Sequence, residues 1–212
     1  MVKFSIIIPA YNEEQRIGKA LESVVMQKYD NFECVVVADA CSDRTAEVAR
    51  RYGVKVIEAD FRNDGISRNA GIDNSTGEWL LFLDADDWYL HEYVLAQLDK
   101  RLRNNDCDIL AFDIVWKHIG VVGPVSGRED GQFFTHCTNK CWKRAFIGDT
   151  RFIRVKPGND AKFQEAVFAK NPKIDIWNVP LYYYNFLREG SCSDTLGRTV
   201  EDTIKWWRID EI

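Results

Sequence analysis

Asp84, Asp86 and Asp87 place three carboxylates within four positions, directly after the apolar run Trp79-Leu80-Leu81-Phe82-Leu83. Two like charges about 4 Å apart repel by roughly 4 kcal/mol at an effective dielectric near 20, so such a group needs water, basic side chains or a cation around it. Oxygen-only donors suit a hard divalent ion such as Mg²⁺ or Mn²⁺. Such an ion takes one or two carboxylates from a protein and completes its shell with water and substrate phosphates. The competing reading is a polar turn that caps the next helix, with Asp87 as the cap. On the tetrapeptide alone the two readings balance, and the surrounding chain decides.

The elements that would position these carboxylates alternate in type. Phe4 to Ala10 reads as a buried strand. Asn12-Glu13-Glu14-Gln15 follows as a capping-box-like start to a helix reaching about Gln27, with Ile17, Ala20, Leu21, Val24 and Val25 on one face. Glu33 to Val37 is a second strand. The helix after it is capped by Ser42 or Asp43 and ended by Gly53. Val54 to Ile57 is a third strand, Asp64 to about Asn74 a loop and short helix, and Trp79 to Leu83 a fourth strand. Such alternation predicts mainly parallel pairing with right-handed crossovers. Ligands collect at the carboxyl ends of strands in such sheets, and Tyr11, Asp39, Asp60 and the Asp84 group all fall just past predicted strand ends. Four polar loops over one edge make a pocket, which favours the cation over the plain turn.

Beyond this half the pattern loosens. A helix is expected from His91 to Asn104 with Val94, Leu95, Leu98 and Leu102 on one face, then an apolar segment from Ile109 to Trp116. Gly120 to Gly131 reads as a hairpin or loop. From Phe133 aromatic and basic residues interleave through Trp142, Arg144 and Phe152, suiting either a surface for a ring-shaped ligand or an aromatic core edged with charge. Asn159-Asp160 stands at a helix start, where an Asp is an ordinary cap. Leu181 to Tyr184 reads as a strand, Arg188 to Ser191 as a turn, and Thr199 to Ile212 as an amphipathic helix.

The 212 residues, 46% of them hydrophobic, suffice for one sizeable core. A net charge of −5 lacks the basic footprint of nucleic-acid or anionic-membrane binding. No window reaches 18 apolar residues, and the first apolar run is too short for a signal peptide, so cytoplasmic residence is expected. The six cysteines are scattered and read as free thiols; His136-Cys137 and Cys141 match no paired zinc spacing.

Several stretches together resemble the family-2 nucleotide-sugar glycosyltransferases of GT-A fold. Phe4 to Glu13 is similar to that family's opening strand and loop, Val37 to Thr45 to its Asp-Asp-Gly-Ser segment, and Gly65-Ile66-Ser67-Arg68-Asn69 to its Arg-Asn loop. Leu83 to Trp88 resembles its Asp-X-Asp motif and Asn159-Asp160 its Glu-Asp catalytic motif. The resemblance implies one GT-A domain, about 1–105 holding the nucleotide sugar and metal and about 106–212 the acceptor and base. It implies that Asp39 meets the nucleotide base, most often uracil, with Pro9, Tyr11 and Glu13 shaping the pocket. Arg68 would fork onto phosphate oxygens. Asp84 and Ala85 would contact the donor, Asp84 and Asp86 would hold Mn²⁺ or Mg²⁺, and Asp160 would be the general base toward an acceptor hydroxyl. The partners implied are a nucleoside-diphosphate sugar, UDP-sugars favoured, and a hydroxyl-bearing acceptor such as a glycan or lipid-linked sugar.

The chain departs from the family pattern at Ala38, Ala40 and Cys41 in the Asp-Asp-Gly-Ser segment and at Asn159, where Glu is usual. The Gln and Arg-Trp motif of processive synthases is missing, so transfer of a single sugar is the expectation, and the resemblance implies an inverting route. A catalytically silent sugar-nucleotide-binding scaffold is the rival from another class. A sugar-phosphate nucleotidyltransferase would need a glycine-rich loop after the first strand, which Pro9-Ala10-Tyr11-Asn12 is not.

Overall fold

A computed structural model describes residues 1–124, 136–155, 157–186 and 199–202. The expectations for Phe133, for Arg188 to Ser191 and for most of the 199–212 helix fall outside those residues, as does Cys192. Four strands form the parallel part of the sheet: β1 (Phe4–Ala10), β2 (Phe32–Asp39), β3 (Lys55–Ala59) and β4 (Trp79–Phe82). The last three are each reached through a crossover helix, α1 (Ile17–Val25), α2 (Thr45–Arg50) or α3 (Asp64–Asp73), and parallel pairing requires such crossovers. Gly53, at φ +71, stops the chain after α2 as its sequence position predicts.

The chain continues through β5 (Trp88–Tyr89), α4 (Val94–Leu102), β6 (Ile109–Trp116), β7 (Gly120–Val122), β8 (Lys140–Lys143), α5 (Arg144–Ile147), α6 (Asn159–Phe168) and β9 (Ile174–Tyr184). The sheet order is β3-β2-β1-β4-β8-β6-β9-β5, with β7 beside β6. The parallel expectation describes β1 to β4 and the β6–β9 pair, whereas β5, β7 and β8 run antiparallel to their neighbours. The fold is therefore α/β with a mixed second half.

Strand alternation divides the core. Phe4, Ile6, Ile8, Trp79 and Leu81 face the side covered by α1, α2 and α4, where Leu21, Val24, Leu95 and Leu98 are fully buried. Ile7, Leu80 and Phe82 face the side carrying α3, α5 and α6, packing on Ile72, Ile147 and Phe163. Each such fully buried side chain contributes roughly 1.5–3 kcal/mol. Gly71 lets α3 lie close on β1: a Cβ there would sit 2.3 Å from Ile7 Cγ2. Trp142 and Phe152 belong to this second core, so here the interleaved aromatics are core and not a ligand surface.

Four local expectations differ. Helix α1 begins at Ile17 without a side-chain cap, and Asn12 stands at φ 51 with Oδ1 accepting the Ser42 N–H at 2.8 Å. Asn12 therefore ties the first loop to the second and caps nothing. Asp87 caps no helix either: it is 1% exposed and accepts Tyr182 Oη at 2.5 Å and Asn185 N at 2.8 Å. Helix α4 starts later, at Val94. Finally β9 starts seven residues before the predicted Leu181, pairing Ile109 with Ile174.

Candidate active site

Parallel pairing delivers Tyr11, Asp39, Asp60 and Asp84 to one edge of the sheet, because each follows the carboxyl end of β1, β2, β3 or β4. A cavity of about 360 Å³ opens there, lined among others by Pro9, Tyr11, Asp39, Ser42, Asn63 and Ser67. Tyr11 is exposed at its mouth. Glu13 is not among its lining residues; it is buried beside Arg16, 3.2 Å away, with its N–H bonded to Thr45 Oγ1 at 2.7 Å.

Asp39 is buried and heavily bonded. Its Oδ1 accepts the N–H groups of Phe61 at 2.6 Å and Arg62 at 2.9 Å; its Oδ2 accepts Asn63 N at 2.9 Å and Ser67 Oγ at 2.8 Å. Four donors fill the acceptor sites of a carboxylate. Asp39 thus folds the 60–67 segment into the wall of the cavity. Beside it Ala40 occupies φ 53, the left-handed region, its N–H held by Ala59 O at 2.7 Å.

The second group gathers on Arg68. Its guanidinium is 4% exposed and donates to Asp64 Oδ2 at 2.7 Å and Asp84 Oδ1 at 2.8 Å, and lies 3.3 Å from Asp160 Oδ1. Its plane sits near the Phe152 ring, 5.5 Å from the centroid. The fork expected to meet phosphate is occupied by carboxylates. Asp64 and Arg68 are four apart on α3, the spacing of a helical ion pair, and that was the available signal for Asp64. Asn159 Nδ2 donates to Asp64 Oδ1 at 2.9 Å, which a glutamate in its place would not do. Asp160 lies in the first turn of α6, whose N-terminal dipole favours a negative charge, and its Oδ2 accepts the Cys137 N–H at 3.1 Å.

Asp84 is half-buried. Desolvation, together with the charges of Asp160 and Asp86, raises it to about 6 against the opposing pull of Arg68. Desolvation and then its charged neighbours Asp86 and Asp84 raise Asp87 well above the usual carboxylate range. Ala85 is buried with its methyl in the larger core, so its side chain is not available to a donor. Asp86 is half-buried on the same turn. Among the described residues no three His, Cys, Asp or Glu side chains are arranged to hold a metal alone. Two all-oxygen ligands on one tight turn, with excess negative charge around them, nevertheless fit Mg²⁺ or Mn²⁺ whose shell is completed by phosphate and water. Cys34, Cys41, Cys107, Cys137 and Cys141 are free thiols, and among the described residues no helix is long and apolar enough to cross a membrane.

A parallel β-α-β sheet with its carboxylates beyond the strand ends defines a nucleotide-sugar-transferase architecture of GT-A type. Residues 5–157 match the family model described as glycosyl transferase family 2, and the chain belongs to that family. Relatives include the glycosyltransferase GlyA of Streptococcus pneumoniae, 26% identical over 90% of this chain and 31% of its own length. The poly(ribitol-phosphate) beta-N-acetylglucosaminyltransferase TarS of Staphylococcus aureus is 26% identical over 99% of this chain and 40% of its own. The crystal structure of TarS 1–349 in complex with UDP-GlcNAc superposes with a TM-score of 0.80 at 24% identity, covering 91% of this chain and 61% of that one. The mannosyltransferase PcManGT of Pyrobaculum calidifontis, in complex with GDP-Man and Mn²⁺, gives 0.72 at 18% identity over 89% and 58% of the two chains. The chain spans about a third of the length of the curated relatives it matches.

Proposed function

We propose that the protein transfers a single sugar from a nucleoside-diphosphate sugar to an acceptor hydroxyl with inversion and with the help of a divalent cation. The observation that carries this reading is the shared guanidinium: Arg68 joins Asp84, on the donor side past β4, to Asp160, at the start of α6. A metal ligand and a base that serve one displacement have to face one site, and a guanidinium common to both supports that placement.

The cavity beside Asp39 takes the nucleoside, and the Asp39 carboxylate, its four acceptor sites already filled, shapes the wall that the base meets. UDP-sugars are favoured because TarS 1–349 is seen in complex with UDP-GlcNAc, while the GDP-Man bound to PcManGT keeps guanine in the panel. Asp84 and Asp86 hold Mn²⁺ or Mg²⁺, which when bound supplies positive charge to the departing diphosphate. Asp160 accepts the proton of the acceptor hydroxyl. The new C–O bond forms at the anomeric carbon on the face opposite the nucleotide, and the old bond's electrons leave with the nucleoside diphosphate. Arg68 holds Asp64, Asp84 and Asp160 around one guanidinium before the substrates arrive. Residues of about 106–212 furnish the acceptor side, and the free thiols suit a cytosolic setting.

Calorimetric titration of UDP with and without Mn²⁺ tests the reading. Binding should tighten tenfold or more with the metal, and hydrolysis of a panel of UDP-, GDP- and dTDP-sugars should reveal one donor. Equal UDP affinity in both buffers would overturn the role of Asp84 and Asp86. A panel with no hydrolysis would favour the scaffold.

A further inference from the structure

His136 and Cys137 are joined by one peptide group, and both of its ends are engaged. Its N–H, on Cys137, donates to Asp160 Oδ2 at 3.1 Å. Its C=O, on His136, accepts from Lys140 Nζ at 2.8 Å. A trans peptide is planar and points its N–H and C=O in opposite directions, so fixing one end aims the other.

Lys140 is an unusual residue to find at this place. It opens strand β8, is fully buried, and donates also to Asn139 Oδ1 at 2.7 Å. Burial lowers its ammonium to about 7. An apolar side chain of similar length would fill the same space without that desolvation, so the packing of β8 does not by itself call for an amine. The rest of the turn is braced independently: Trp142 Nε1 donates to Cys137 O at 3.0 Å, and Phe112 N to Asn139 O at 3.1 Å. Among the described residues the Cys137 N–H is the hydrogen bond that holds Asp160, because the ion pair to Arg68 is shared with Asp64 and Asp84.

We propose that Lys140 is a positioning residue for Asp160, acting through the 136–137 peptide, whose N–H it keeps turned toward the carboxylate. Without the amine the peptide can rotate and set its carbonyl against Asp160, which repels the charge a base must carry. Hydrogen bonds in such a chain also polarise one another, so the amine strengthens the Cys137 contact while never touching substrate. The inference rests on the reading of Asp160 as the base.

The test uses the full chain and the variants Lys140→Met, which keeps the stem and removes the donors, and Lys140→Gln, which restores an N–H. Three quantities are read: release of UDP from UDP-GlcNAc, affinity for UDP with Mn²⁺, and the Cys137 amide resonance. Lys140→Met should cut UDP release at saturating donor tenfold or more, change UDP affinity less than twofold and shift the Cys137 amide upfield. Lys140→Gln should recover part of the rate and of the shift, an outcome that a packing role would not produce. An unmoved amide, or undiminished UDP release in Lys140→Met, would overturn the proposal. If UDP-GlcNAc is not turned over by the wild type, the Cys137 amide shift of Lys140→Met decides; if Lys140→Met does not fold, an upfield Cys137 amide in Lys140→Gln against wild type supports the proposal and an unmoved one overturns it. Asp160→Asn separates the two levels. Wild-type release in that variant would remove the base reading, whereas loss there with full activity in Lys140→Met would remove only the role of Lys140.

Discussion

At the floor of the cavity Asp39 gives both carboxylate oxygens to neutral donors of the 61–67 segment, while two strands along the same sheet edge Asp84 shares one buried guanidinium with Asp64 and Asp160. The first network is complete before any ligand arrives, since its hydrogen bonds satisfy every acceptor site. Among the described residues the second gathers three carboxylates on one guanidinium, with Asp86 on the adjoining turn. Under the proposed function the contrast assigns labour: one end of the pocket would supply shape and the other the carboxylates that an incoming cation would meet.

Substitutions that treat the two ends alike should therefore give unlike results. Asp39→Ala strands buried donors at Asn63 and Ser67 and should lower stability by on the order of 3 kcal/mol in urea unfolding, whereas Asp84→Asn should cost less than about 1 kcal/mol. A reversed ranking would break the comparison. A smaller effect concerns Lys140. Its folded-state pKa of about 7 lies below the ordinary 10.5, so between those values the unfolded chain binds more protons and stability rises with pH. Below about 7 both states are charged and the cost is constant. The stability of the wild type relative to Lys140→Met should increase by on the order of 1 kcal/mol from pH 7 to pH 8, and a flat difference would place the amine in water. Smallest is Ala40→Gly. Removing the Cβ at φ 53 should stabilise by up to about 1 kcal/mol without changing UDP affinity, as read by melting temperature and calorimetry.

The parallel half was legible because its signals are local. Apolar strands, periodic helices such as Val94, Leu95, Leu98 and Leu102, and polar residues at strand ends fix β1 to β4 and bring Asp39 and Asp84 to one edge. What escaped depends on partners remote in sequence. Asp87 has the local look of a cap, but its donors come from Tyr182 and Asn185. The first part of β9, Ile174 to Pro180, alternates weakly and carries a proline, and it becomes a strand only against β6. Lys140 to Lys143 shows no strand pattern and is held between β4 and β6. The family motifs named Arg68 and Asp160, yet no spacing in the chain announces that the two meet, because that contact joins α3 to α6.

The bond from Tyr182 to Asp87 has a consequence for ligand binding. Tyr182 Oη also accepts the Asp84 N–H at 3.2 Å, so a single phenol fastens both ends of the turn that carries Asp84 and Asp86 to strand β9. A turn stapled in this way has already lost the freedom that an open loop would surrender on meeting its ligand. Under the proposed function its oxygens would meet a cation with little entropy left to lose, and the strength of each contact would go into affinity.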